Sequence, residues 1–315
     1  MRLQSATRPN RRCFKGCRME KTRNKIKTGK GELAVKIVMY VIAGAFAILC
    51  LYPFFQVLIS SFADEVTLVR EGYKLIPSKF SLSAWRTLFA DQTIVRAYGL
   101  TIGTTVIGTA LCVLVTAMAA YALSGKKLKY RNFFNFIYYL TMLFSGGLTA
   151  YYIVVSKYLN LSDNLLVYIL PFSFNVWNMF LLRNFFNDIP EEIIESAVLE
   201  GAGEWCTAFR IVLPLSLPAL ATVSLFTAVS FWNEWMTSML FIHDEKYYLL
   251  QYIIIEMVDS ISNKNVSGAP AGESQQIAVT FQLATAIATI GPIVLLYPFL
   301  QKYFVAGLRV GGVKG

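Results

Sequence analysis

Six stretches of this 315-residue chain carry no charged side chain: 37–63, 97–125, 132–156, 164–182, 211–233 and 274–301. They run 27, 29, 25, 19, 23 and 28 residues. A helix that crosses a bilayer needs about 20 predominantly apolar residues. Buried helices of water-soluble proteins seldom stay uncharged over that length, and six such runs in one chain exceed chance. The reading is an all-α integral membrane protein with six transmembrane helices, at about 35–61, 96–124, 132–156, 164–183, 212–240 and 275–302. Only 15% of the residues are charged, against about 25% in a soluble domain.

The charges that remain are unevenly placed. Residues 1–36 hold twelve Lys/Arg and two acids, and the other 279 residues hold seventeen of each sign. The whole net charge of +10 is therefore one basic tail. A nucleic-acid partner would call for basic residues on a folded face, and none is visible, so no nucleic acid is expected. The tail, 1–33, reads as disordered and as too long and basic for a cleavable signal peptide; either Met1 or Met19 could start the chain. Lys/Arg bias puts it in the cytoplasm, near anionic lipid. Six spans then return the C-terminal tail, 306–315, to the same side of the cell membrane. The loop with Lys126, Lys127, Lys129 and Arg131 is cytoplasmic, and the acidic loop 242–273 is external. The cytoplasmic loop 183–210 is the exception, with six acids against two arginines. Acids count for little in orientation, so the topology stands and this loop has another task.

Catalysis and metal binding find little support. His243 is the single histidine, and the cysteines are Cys13, Cys17, Cys50, Cys112 and Cys206. A zinc site takes three or four Cys/His ligands, and a His-based catalytic group has no setting here. No catalytic residue and no metal are expected.

Loop 187–210 is the informative segment. Asp188 and Glu191 make a start resembling a capping box, and Pro190 suits a first turn. A short helix runs to about Glu200, with Ile193, Ile194, Ala197 and Val198 on one face. Gly201 is placed to end it in a left-handed conformation. A second helical stretch puts Trp205, Ala208, Phe209 and Val212 on one stripe. The loop reads as a bent amphipathic pair of helices.

Glu195-Ser196-Ala197, then three residues, Gly201, nine residues and Ile211-x-Leu213-Pro214 resemble the Glu-Ala-Ala loop of permeases in binding-protein-dependent ABC importers. Ser196 is the one departure, a small residue for a small residue. The resemblance extends over the six spans to Gly312 and Lys314 near the C-terminus, and is nearest to the smaller, maltose-permease-like half of carbohydrate importers, in the lipoprotein/polysaccharide subgroup. It implies a domain over 34–305 that translocates a carbohydrate, an oligosaccharide by subgroup. Loop 187–210 would be a cytoplasmic coupling helix between spans four and five that docks on an ATPase through Glu195, Ala197 and Gly201. The tail with Gly312 and Lys314 would reach the ATPase dimer. Two ATPase copies, a second, different permease chain, an extracellular solute-binding protein and membrane lipid would be the partners. No Gly-x4-Gly-Lys-Ser/Thr loop occurs in the chain, so this subunit is not an enzyme and has no cofactor; ATP and Mg would belong to the ATPase.

Polar residues inside the runs are candidates for a substrate pathway: Asn175, Trp177 and Asn178 in span four, Trp232, Asn233 and Glu234 late in span five, Gln282, Thr285 and Thr289 in span six. A charge at membrane depth faces a cavity or a partner, and aromatic and amide groups suit sugars. The alternative is an interfacial belt for the tryptophans, snorkelling for Glu234 and bonding between helices for the rest. Glycines and threonines make span two a close-packing helix. Competing readings are a stand-alone secondary transporter, against which no inverted repeat is visible, and an ABC permease for a non-sugar solute.

Overall fold

The computed structural model describes residues 30–125, 128–266, 279–292 and 294. Most of the 1–33 tail, the 306–315 tail with Gly312 and Lys314, and the two ends of the expected sixth span lie outside the described residues. The structure divides at Pro53 into two units. In the first, helix α1 (Lys30–Ser60) keeps its described side chains exposed as far as Pro53. Beyond Lys36 it is a long, apolar rod without a charged side chain, which suits lipid.

The second unit is helical, with one isolated bridge, Ala63 to Phe80, and no other strand pairing among the described residues. Short helices α2 (Glu65–Glu71) and α3 (Ser83–Ala90) lead into the long α4 (Gln92–Ser124). Asp91 starts α4 by accepting the Thr93 amide at 2.8 Å, which satisfies one of the unpaired donors of a helix start.

Beyond α4 the apolar runs are broken rather than continuous, and the breaks correct the expected unbroken spans. Within 132–156, helices α5 (Arg131–Leu143) and α6 (Gly147–Ile153) meet at a bend of 110°. Ser145, Gly146 and Gly147 lie at the corner, and Gly147 has φ +80°, open to glycine without a Cβ clash. A π-helical turn, Val154–Tyr158, extends α6. Within 164–183, a 3-10 turn (Leu165–Tyr168) unwinds over 169–175 before α7 (Val176–Asn187). Pro171 lies in that stretch, and Asn175 restarts the helix by accepting the Asn178 amide at 2.9 Å. Helix α8 (Glu191–Leu199) follows. Then α9 (Glu204–Cys206), a π-helical turn (Thr207–Val212) and α10 (Leu213–Leu215) form one helix, Glu204–Leu215, which bends by 82° into α11 (Leu217–Trp232). Pro218 cannot donate to the carbonyl four residues back, so the ladder opens at Ser216. The expected 212–240 span is interrupted again at 233–235 before α12 (Met236–Phe241). Helices α13 (Leu250–Val266) and α14 (Val279–Pro292) complete the described chain. By length and apolarity two described helices can cross a membrane, Ala34–Ser60 and α4, or four if each bent pair is one crossing.

Helix α4 is the spine. Its Ala117, Ala120 and Leu123 pack with Met179, Leu182 and Phe186 of α7, with Val212, and with Ala219 and Val223 of α11. Small residues on α4 let the backbones approach, the main source of helix association where lipid is as apolar as leucine. The closest approach is at Gly108, where a Cβ would lie 2.5 Å from the ring of Phe231. Gly99 and Gly103 have nothing within 4 Å of theirs, so of the three glycines on α4 only Gly108 is sterically required. A polar clasp holds α14: the buried Glu65 carboxylate accepts the Val279 amide at 3.2 Å and the Thr280 amide at 2.9 Å, and bonds the Thr280 hydroxyl.

Candidate functional site

Two features stand apart from the packing: an exposed helical elbow and a polar cavity. The elbow is α8 with the helix Glu204–Leu215. Gly201 has φ +89°. The Ala202 amide donates to the Ala197 carbonyl at 2.9 Å and the Gly201 amide to the Val198 carbonyl at 3.0 Å, the paired bonds that end a helix on a left-handed residue. The elbow presents two kinds of group. Glu191, Glu192, Glu195 and Glu200 are exposed carboxylates. Leu199, 89% exposed, and Trp205, 71% exposed, are apolar knobs, and Trp205 stacks on Phe209 at 5.9 Å. Ala197 is buried beneath them, and Ser196 bonds its own helix through the Ile193 carbonyl.

The expected stripe of Trp205, Ala208, Phe209 and Val212 splits. Ala208 and Val212 are buried while Trp205 and Phe209 are exposed. The π-helical turn over Thr207–Val212 widens the helix and shifts its phase, so pairs four apart stay together but those three apart separate. Of the motif's last residues, Ile211 and Leu213 are half-buried and Pro214 is exposed.

The elbow is tied to the spine. Tyr121, near the end of α4, donates to the Glu204 carboxylate at 2.9 Å, and Arg183 of α7 donates to the Leu123 carbonyl at 3.1 Å. A cavity of about 890 Å³ lies between the elbow and the end of α4, lined in part by Tyr121, Phe186, Ile194, Val198 and Glu204.

The polar cavity, about 540 Å³, opens between α4, the unwound 169–175 stretch, α7 and α11. Asn178, Thr227 and Cys112 form its buried floor, with the Asn178 amide donating to the Thr227 hydroxyl at 3.2 Å. Phe172, Trp177, Phe226 and Phe231 supply ring faces, and Glu234 joins the lining with one oxygen accepting the Thr237 amide at 2.9 Å.

Four of the nine sequence candidates for a pathway meet here: Asn175, Trp177, Asn178 and Glu234. The other five lie elsewhere. Trp232 is buried and donates to the Thr289 carbonyl at 3.1 Å, and Asn233 accepts from Gln251 at 3.1 Å. Gln282 on α14 is half-buried and absent from the cavity lining. Thr285 and Thr289 bond carbonyls of their own helix. Sequence reasoning missed Phe172, Phe226, Thr227, Ser230 and Phe231. A four-residue spacing joins Phe226 to Ser230 and Thr227 to Phe231, but inside an apolar run it has no contrast against which to be noticed.

The family described as "Binding-protein-dependent transport system inner membrane component" matches residues 112–310, more than half the chain. The chain belongs to that family. Among curated relatives, the permease is 38% identical over 276 residues to the polygalacturonan/rhamnogalacturonan transport system permease protein YtcP of Bacillus subtilis, covering 86% of this chain and 94% of the relative. Protein LplC of the same organism is 36% identical, with 86% and 92% covered. Among solved structures, a chain of a bacterial ABC transporter involved in import of the acidic polysaccharide alginate superposes with a TM-score of 0.77 at 27% identity, over 88% of this chain and 98% of that one. The permease is thus a membrane-embedded, helical transport subunit, as the Glu-Ala-Ala-like motif implied.

Proposed function

We propose that this permease is the carbohydrate-translocating subunit of an ABC importer and that the elbow, Glu191 to Leu215, is its lever. It works with a second permease chain, two copies of a cytoplasmic ATPase that bind the ATP and Mg, and an extracellular binding protein. The observation that carries the reading is the elbow's combination of exposed and anchored parts. Leu199, Trp205 and Phe209 with Glu192, Glu195 and Glu200 offer apolar knobs among carboxylates, which fits a cleft with basic edges. Beneath them, Ala197, Ala208 and Val212 are buried and Glu204 holds Tyr121. Force applied to the knobs is delivered to α4 and α7 without slack, because packed interiors shift as units.

Sugar relatives support the cargo class, and the six uncharged runs support six crossings with both termini in the cytoplasm. In that topology the broken segments are crossings made of two helical halves. Unwound backbone at membrane depth is tolerated where it faces protein or a water-filled cavity, and 169–175 faces the 540 Å³ cavity.

Glu195→Lys tests the lever. Glu195 is exposed, so its reversal leaves the fold intact, while a like-charge contact in a docked interface costs several kcal/mol. The ATPase should fall away from the variant in a pull-down at low salt, and an acidic substitution in the ATPase cleft should restore part of the binding. Retention equal to wild type at every salt concentration removes Glu195 from the interface.

A further inference from the structure

We propose that the cavity beside the broken fourth segment is a saccharide subsite in this subunit, shaped for one uncharged sugar unit. The proposal rests on the carbohydrate reading above and adds where this chain touches the cargo and which sugar chemistry it accepts.

The cavity volume, about 540 Å³, lies within the roughly 300–1,000 Å³ typical of small-molecule sites. Its walls are of two kinds. Phe172, Trp177 and Phe231 give ring faces, with Trp177 63% exposed and Phe231 seated edge-on to Phe172 at 6.2 Å. The flat C–H face of a pyranose packs on such rings without losing its hydroxyls to an apolar surface. Asn175, Asn178, Thr227 and Ser230 give amide and hydroxyl groups. Each can both donate and accept hydrogen bonds, as a sugar hydroxyl also does. The unwound backbone beside Asn175 is what lets this side of the cavity be polar at a depth where a regular helix would hide its carbonyls.

Charge decides the kind of sugar. Among the described lining residues Glu234 is the one acid, and neither lysine nor arginine accompanies it. Its carboxylate is held in place by the Thr237 amide, so it does not swing away from an incoming anion. A uronic acid seated here would bring a second carboxylate toward Glu234 with no cation to offset either. An uncharged unit meets only ring faces, amides, hydroxyls and one acceptor. The accepted sugar is therefore neutral at this wall, in contrast to the acidic polysaccharides named for two of the relatives.

The test uses the whole assembly, both permeases with ATPase and binding protein, in proteoliposomes. A partial hydrolysate of plant cell-wall polysaccharide is split on an anion exchanger into a neutral and an acidic fraction, and each is offered with the binding protein. Ser230, exposed on the cavity wall, is replaced by cysteine in a chain whose native cysteines are substituted, and its labelling by a small methanethiosulfonate reagent is timed. The expected result is that the neutral fraction stimulates ATP hydrolysis and slows labelling of Ser230→Cys several-fold. In the chain with native cysteines, Trp177→Ala should lower uptake of the neutral fraction several-fold at wild-type yield of complex. Stimulation by the acidic fraction alone overturns the proposal. So does stimulation by the neutral fraction with labelling unchanged, a site that never labels because a neighbouring helix fills it, or wild-type uptake by Trp177→Ala. If neither fraction stimulates, the carbohydrate reading itself fails, which is a distinct result, and the subsite goes with it.

Discussion

Gly108→Ala should be the most crowded single-methyl addition among the described glycines. A Cβ there would lie 2.5, 2.6 and 2.9 Å from Cε1, Cζ and Cδ1 of Phe231, far inside van der Waals contact near 3.5–4.0 Å. To restore contact the ring must retreat by about 1 Å, and it is 5% exposed with Phe172 on another side. Overpacking of this kind costs about 1–3 kcal/mol. Alanine's helical advantage over glycine, at most about 1 kcal/mol, works the other way, so the net effect is a loss of roughly 0–2 kcal/mol with a displaced ring at the cavity wall. Gly103→Ala, on the same helix with nothing within 4 Å of its Cβ, carries the helical gain without the clash and is the control. The assay is thermal unfolding of the detergent-solubilised complex for Gly108→Ala, Gly103→Ala, Phe231→Leu and the Gly108→Ala/Phe231→Leu double variant. Gly108→Ala should melt below Gly103→Ala, and the double variant should recover relative to the sum of its singles. Equal melting of the two alanine variants, or strict additivity in the cycle, would refute the close approach as the reason for the glycine.

Gly201→Val places a β-branched side chain at φ +89°, a strain of about 1–2 kcal/mol; uptake into vesicles should fall while complex yield drops less, and normal uptake would show that the elbow's angle is immaterial. Tyr168→Phe removes a hydroxyl that bonds Ser238 at 2.7 Å and the Tyr247 carbonyl at 2.9 Å, so denaturation should become easier by about 1–3 kcal/mol; an unchanged midpoint would mean that water replaces the bonds. The His243 amide above all, at 2.6 Å, and then the Asp244 amide hold the Asp163 carboxyl below the usual carboxylate range. A lowered native pKa gives stability that is present above the unfolded carboxylate's pKa and lost as pH falls through the lowered one. Asp163→Asn should therefore flatten the acid limb of an unfolding-versus-pH curve, and an unaltered limb would exclude this carboxyl as a contributor.

What could be read without coordinates was whatever depends on composition and local chemistry. Uncharged runs announce lipid, and the Glu195-to-Pro214 spacing announces the family. Gly201 reads as a left-handed stop because one residue's backbone preference decides it. The breaks were less legible. In water an interrupted helix is marked by polar residues, but near Phe144 and Ser216 the flanks are apolar on both sides, and only Gly146, Gly147, Pro171 and Pro218 hint at a corner. The phase shift at Thr207–Val212 leaves no mark in composition, so regular helical spacing joins Ala208 to Trp205 on one stripe that the π-helical turn divides. The cavity was half visible: Asn175, Asn178 and Glu234 are conspicuous in an apolar run, whereas Phe226 and Phe231 look like any lipid-facing ring.

The clasp between Glu65 and the start of α14 has a consequence in time. Its partners are 214 and 215 residues apart, and ribosomes add roughly 5–20 residues per second. Glu65 is therefore made some 10–40 s before Val279 and Thr280 exist to occupy its oxygens, a delay that follows from that same rate. Until then a carboxylate destined for burial stays hydrated, and the early helices are kept from closing over it by the cost of stripping its water. The arrival of α14 is what allows that closure, so a chain truncated before α14 should be left open at this end and be a substrate for quality-control proteolysis.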